Sequence, residues 1–128
     1  MIVRGMESED TFEVFQLANS LFPNSNISLK GHDLIFVAEE GENIVGFLHM
    51  GWVKGRVVIK GIGVRGDYQG RGIATLLMEE VLGKISTESE IHLKVNCDNF
   101  SALRLYQKHG FFIKKFGSSL IMVKKQNS

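Results

Sequence analysis

Two overlapping glycine patterns in the stretch GIGVRGDYQGRGIATLLMEEVL, Gly61 to Leu82, supply the residues of this chain best suited to holding a phosphate. Gly61, Gly63 and Gly66 spell G-x-G-x-x-G; Gln69, Gly72 and Ala74 spell Q-x-x-G-x-A. A phosphate is held where free backbone N–H groups converge with the positive end of a helix dipole, so the pattern that sits at a helix start is the cradle. A dinucleotide fingerprint needs a helix opening near its third glycine and an acidic residue roughly 20 residues further on. The residues DYQ separate Gly66 from the apolar helical stripe, and the following strand ends at Asn96, so both requirements fail. The second pattern leaves the N–H groups of Gly70, Arg71, Gly72, Ile73, Ala74 and Thr75 open at the helix start, and Arg71 adds a positive charge. It lacks the Lys-Ser/Thr ending that grips magnesium in a P-loop, which points to a diphosphate cofactor that is not hydrolysed.

The other reactive side chains are sparse. Cys97 has no His or Asp partner beside it in sequence and reads as a small buried hydrophobe. His32, His49, His92 and His109 lack metal-ligand spacing, so no metal is expected; His49, on a strand, is the one placed to relay a proton.

These residues need a scaffold, and the chain spells one out. IVRGM is a short strand, and SEDTFEVFQLANSLF a helix capped by Ser8 with Phe12, Phe15 and Phe22 on one face. LIFVAEE, NIVGFLHMGWV and RVVIKGIGV are strands of an antiparallel meander, divided by GE and KG turns. A helix follows with Ile73, Leu76, Leu77, Val81 and Ile85 as its apolar stripe. IHLKV is a strand, NFSALRLYQKHG a helix capped by Asn99, and FFIKKF with LIMVKK a closing pair of strands. The order βαβββαβαββ makes a mixed α/β (α+β) fold. A length of 128 residues suits one domain, residues 1–128, without metals or disulfides. The formal net charge of +1 gives no general attraction to nucleic acid or membrane, and the absence of an apolar leader points to the cytoplasm.

The stretch IGVRGDYQGRGIATLLMEEVL resembles the coenzyme A signature of the GNAT acetyltransferase superfamily. LKVNCDNFSALRLYQKHGFFI resembles that family's next segment, with Val95 and Asn96, Asn99 and Ala102, Leu105 and Tyr106, and Gly110 and Phe111 at the matching places. The resemblance runs from about Leu34 to Val123 and implies a GNAT fold, a mixed central sheet of six to seven strands with helices on both faces. It implies an acetyl-CoA-dependent N-acetyltransferase acting directly on an amine, as a monomer or homodimer. The cofactor would pair with the strand segment Ile62, Gly63 and Val64, set its pyrophosphate on Gln69 to Thr75, and touch Asn99. Tyr106 would serve as proton donor to the departing thiolate. Many relatives carry a glutamate base where this chain has Val58. Its absence favours a low-pKa acceptor, a peptide α-amine or small-molecule amine, over lysine. It also keeps open a non-catalytic acyl-CoA-binding module, with an NAD-binding oxidoreductase as a more distant alternative.

Overall fold

The computed structural model describes residues 1–24, 28–86 and 89–125. Its elements are β1 (Ile2–Gly5), α1 (Thr11–Leu21), β2 (Leu34–Glu40), β3 (Asn43–Val53), β4 (Arg56–Val64), α2 (Ile73–Leu82), β5 (Glu90–Asn96), α3 (Phe100–Lys108), β6 (Phe112–Lys115) and β7 (Ser119–Lys125). This is the βαβββαβαββ order expected. The seven strands form one sheet ordered β1-β2-β3-β4-β5-β7-β6, antiparallel except for the β4–β5 pair, which α2 connects. The expected KG turn between β3 and β4 has both Lys54 and Gly55 at positive φ, the type I′ geometry that matches strand twist.

Alternation along β2 and β3 sends successive side chains to opposite faces. Ile35, Val37 and Phe47 pack with Val14, Leu17 and Ala18 of α1. Phe36, Ala38 and Leu48 belong to the larger cluster with Ile73, Leu77, Met78 and Val81 of α2. The sheet therefore carries helices on both faces.

Two helix faces differ from expectation. In α1 the buried stripe is Val14, Leu17 and Ala18, with Leu21 half-buried, a complete i, i+3, i+4, i+7 set. Phe12, 74% exposed, lies off that stripe, and Phe22 stands at its rim. Ser8 is not the cap; it opens a three-residue 3-10 turn, Ser8–Asp10, that precedes the helix. In α2, Leu76 faces solvent and Met78 takes its place in the core.

The register of β4 decides what faces where. His49 pairs with Gly61 and Met50 with Ile59, which leaves Lys60 as an extra residue in the strand. One extra residue reverses the alternation. Val57 and Ile59 face the α2 cluster before the bulge, and Ile62 and Val64 face it afterwards. Gly63 is turned to the α1 side, where an added Cβ would lie 2.8 Å from Leu21 and 3.0 Å from Phe47. Pairing of β4 with β5 covers only Val57 to Ile59, so residues 60–64 are bonded to β3 alone and the two parallel strands part.

The edge strand β1 is tied to α1 by charge. Arg4 donates to both carboxylate oxygens of Asp10, at 2.7 and 3.1 Å, and to Glu39 at 3.2 Å, while the Glu7 N–H donates to Asp10 at 2.8 Å. The Arg4 guanidinium first, then the Glu7 N–H, holds the buried Asp10 carboxyl below the usual carboxylate range. A depressed carboxylate stabilises the fold above its unfolded pKa of about 3.9, and that contribution disappears as pH falls through the folded value. Asp10→Ala should therefore cost roughly 1.5–3 kcal/mol at pH 7, the range for hydrogen bonds to charged groups. In urea unfolding the gap between wild type and variant should narrow towards pH 2–3; an unchanged gap would mean that Asp10 acts through packing alone.

Candidate active site

The helix-start test separates the two glycine patterns. Gly66 opens only a 3-10 turn, Gly66–Tyr68, whereas α2 begins at Ile73, immediately after Gly72. Gly70 and Gly72 adopt φ of 79° and 81°, a left-handed conformation that residues with a Cβ rarely adopt. Their turn brings the chain into the helix with the N–H groups of residues 70–75 unpaired to backbone among the described residues. Gln69 departs from this set. Its own N–H donates to Gly66 at 3.3 Å, and its side-chain amide donates to the Val64 carbonyl at 2.9 Å. Gln69 thus ties the end of β4 to the loop rather than offering a free donor.

A groove of about 460 Å³ runs from this turn along the end of β4 that has parted from β5. It is lined by Ile62, Gly63 and Val64 of β4, by Gln69, Gly70, Gly72, Ile73, Ala74 and Thr75, and by Asn99 of the third helix start. Arg71 does not line it. Its guanidinium stacks 4.8 Å from the Tyr68 ring centre, with Arg65 at the same distance on that ring and paired in turn to Asp67. Asn99 caps α3, its Oδ1 accepting from the Ala102 N–H at 3.2 Å, and it borders the groove as well. Tyr68 and Leu21, which sequence pattern did not single out, also line the groove, as do Phe22 and Leu105, which it had placed on apolar helix faces or in the family segment but not at the cofactor.

A second cavity, of about 570 Å³, adjoins the first through Phe22, Ile62, Asn99 and Ala102. Tyr106 lines it, 6% exposed, its ring 5.8 Å from that of Phe111. Burial pushes the Tyr106 hydroxyl up to about 12, so it stays protonated throughout the physiological range. Cys97 is exposed rather than buried, and no reactive partner is bonded to it among the described residues. No cluster of three metal-binding side chains occurs among the described residues.

Val58 is half-buried and apolar, and the charged group of this region comes from elsewhere. The Asp33 carboxylate, 3% exposed, accepts from His49 Nε2 at 3.0 Å and from Lys60 Nζ at 2.9 Å. A carboxylate only accepts, so a neutral His49 carries its proton on Nε2 and keeps a lone pair on Nδ1. Burial raises the Asp33 carboxyl, but the Lys60 and His49 hydrogen bonds outweigh it and hold the group below its ordinary value. Gly51 makes the room: a Cβ there would stand 2.8 Å from Asp33 Cγ. His49 and Lys60 both line the second cavity. Among the described residues no helix is long and apolar enough to cross a membrane.

Known proteins share this fold. An acetyltransferase of Sodalis glossinidius is 35% identical over 78 residues, 59% of this chain and 55% of that protein. The chain thus aligns with about half the length of such curated relatives. The ribosomal-protein-S18-alanine N-acetyltransferase of Escherichia coli superposes with a TM-score of 0.84 at 17% identity, covering 99% of this chain and 94% of the other. The PaiA N-acetyltransferase of Thermoplasma acidophilum, solved with coenzyme A, gives 0.80 at 16% identity, covering 97% and 98%. At these identities the structures establish the fold, and the sequence match that takes in residues 4–111 establishes the kinship: the chain belongs to the acetyltransferase (GNAT) family.

Proposed function

We propose that this chain is an acetyl-CoA-dependent N-acetyltransferase that passes the acetyl group directly to a primary amine. The observation that carries the reading is the parting of β4 and β5 beyond Ile59, which opens a groove continuous with the unpaired N–H groups at the start of α2. That combination suits coenzyme A: a diphosphate at the helix N-terminus and an extended amide arm along a strand edge. The groove residues Ile62, Gly63, Val64, Gly70, Gly72, Ile73, Ala74, Thr75 and Asn99 would hold it, with Gln69 bracing the strand end and Arg71 adding charge nearby. When bound, the thioester supplies the activated acetyl group.

Tyr106 is the group on this chain placed to meet the developing thiolate. With its hydroxyl near 12 and a thiol near 8.5, complete proton transfer is uphill by about 3.5 pKa units, about 5 kcal/mol. Tyr106 therefore acts as a hydrogen-bond donor that stabilises the departing thiolate, which takes its proton from solvent water. His49, oriented by Asp33 with Nδ1 free to accept, is the group best placed to take the amine's proton in the absence of a carboxylate at Val58. A primary amine must be neutral to attack. At pH 7.4 a lysine of pKa about 10.4 is neutral in roughly one molecule per thousand, against roughly three in ten for an α-amine of pKa about 7.8. A peptide α-amine or a small-molecule amine of low pKa is the better acceptor.

Thr75→Glu should separate cofactor binding from folding. A carboxylate in the first turn favours the helix dipole, so α2 stays intact. The same charge faces the diphosphate, and one like-charge contact at 4 Å costs about 1–4 kcal/mol between bulk water and a partly buried site. Calorimetry should show acetyl-CoA affinity lowered at least about fivefold with unchanged thermal stability; equal affinity would remove the α2 cradle from the reading.

Tyr106→Phe should lower kcat about ten- to thousandfold with little change in cofactor affinity. Equal turnover would reduce Tyr106 to packing. Thiol release with an amine panel also tests the alternative of a module that binds acyl-CoA without reacting, because such a module releases none.

For the acceptor, kcat/KM between pH 6 and 9 should favour peptides with a free α-amine over peptides with a blocked terminus and an internal lysine. A lysine preference at neutral pH would show that His49 or water deprotonates a high-pKa amine efficiently.

A further inference from the structure

The second cavity has a one-sided charge. Lys30, from the segment before β2, Lys60 of β4 and Lys94 of β5 all line it, together with the buried His49. No carboxylate lines it among the described residues. The chain as a whole is nearly balanced, with 15 basic and 14 acidic residues, so three lysines at one cavity do not follow from composition. Asp33, the acidic group beneath this wall, is buried and already engaged by Lys60 and His49. Neither Lys30 nor Lys94 has an acidic partner among the described residues. They stand on the loop and sheet edges that border the space beside Tyr106.

A cavity lined by one sign of charge raises the local concentration of the opposite sign and repels its own. Resting on the acetyltransferase reading above, we infer that the acceptor is an amine that also carries a carboxylate, received by Lys30 and Lys94 while the amine nitrogen faces His49 and Tyr106. Lys60 is held back by Asp33 and frames the floor of the cavity. The diphosphate of the cofactor does not compete for these lysines, since its cradle lies at the other end of the groove, at residues 70–75. Polyamines and lysine-rich peptides meet like charge at Lys30 and Lys94 and are poor acceptors.

The carboxylate has two sources, a free amino acid or an acidic residue at the start of a peptide. The experiment compares free glutamate and glutamine with C-terminally amidated tetrapeptides beginning Glu, Gln or Lys and otherwise alanine. The acidic peptide should exceed its Gln counterpart by about tenfold in kcat/KM, chiefly through KM, with the Lys peptide lowest. The preference should shrink between 0.05 and 0.5 M salt, because screening shortens the reach of exposed charges from about 14 Å to about 4 Å. In the double variant Lys30→Glu, Lys94→Glu the order should invert. Preference for glutamate over every peptide assigns the free amino acid; preference for the acidic peptide assigns a polypeptide terminus. Equal use of the Glu and Gln peptides with no preference for the free amino acids over them, or an order unmoved by the double variant, overturns the inference. Calorimetric titration of the same peptides at low salt gives a readout that does not need turnover. Selective binding of the acidic peptide without acetyl transfer supports the anion site and defeats the transferase reading. Acetyl-CoA binding and turnover with no charge preference do the reverse.

Discussion

Everything the groove offers depends on two parallel strands that hold to one another for only three residue pairs. From Val57 to Ile59 the ladder between β4 and β5 is closed, and beyond Ile59 β4 continues with β3 as its single neighbour. An isolated strand edge exposes unpaired peptide groups, and such groups buried without partners are costly. Along the groove that edge is left with free peptide groups on the side away from β3. The carbonyl of Val64, at the far end, is already met by the Gln69 side chain, which marks the limit of the open stretch.

The bulge at Lys60 works with this parting. By shifting the strand by one residue it turns Ile62 and Val64 towards the α2 cluster, and leaves Gly63 on the side where the end of α1 and Phe47 crowd in. Gly63 is thus required by packing against Leu21 and Phe47, which accounts for the middle glycine of the three-glycine pattern without any cofactor.

Much of this was legible from residue order. Hydrophobic periodicity separated helices from strands, the Lys54–Gly55 and Gly41–Glu42 turns bounded the meander, and the position of Gly72 relative to the apolar stripe located the start of α2. Asn99 was readable as a cap because its chemistry is local. What resisted reading was long-range. The face of α1 went to Val14, Leu17 and Ala18 because packing against Val37 and Phe47 decides which stripe is buried, and aromatic content does not. Gln69 looked like one more donor in a loop, and only the end of β4 reveals what its amide is for. The Asp33 carboxylate lies 16 residues from His49 and 27 from Lys60, so no spacing rule links them, and a glycine at position 51 becomes meaningful only when a second strand is laid beside it.

The buried carboxylate has a mechanical side as well. Asp33 is anchored from three directions, by β3 through His49, by β4 through Lys60, and by its own N–H, which donates to the Lys30 carbonyl at 2.9 Å and closes a tight turn. That turn carries Lys30 to the cavity mouth. A negative charge sealed in the sheet thus acts as a tether for a positive charge at the rim. The rim of the second cavity is thus tied to two strands of the sheet through Asp33, a residue that does not itself line that cavity.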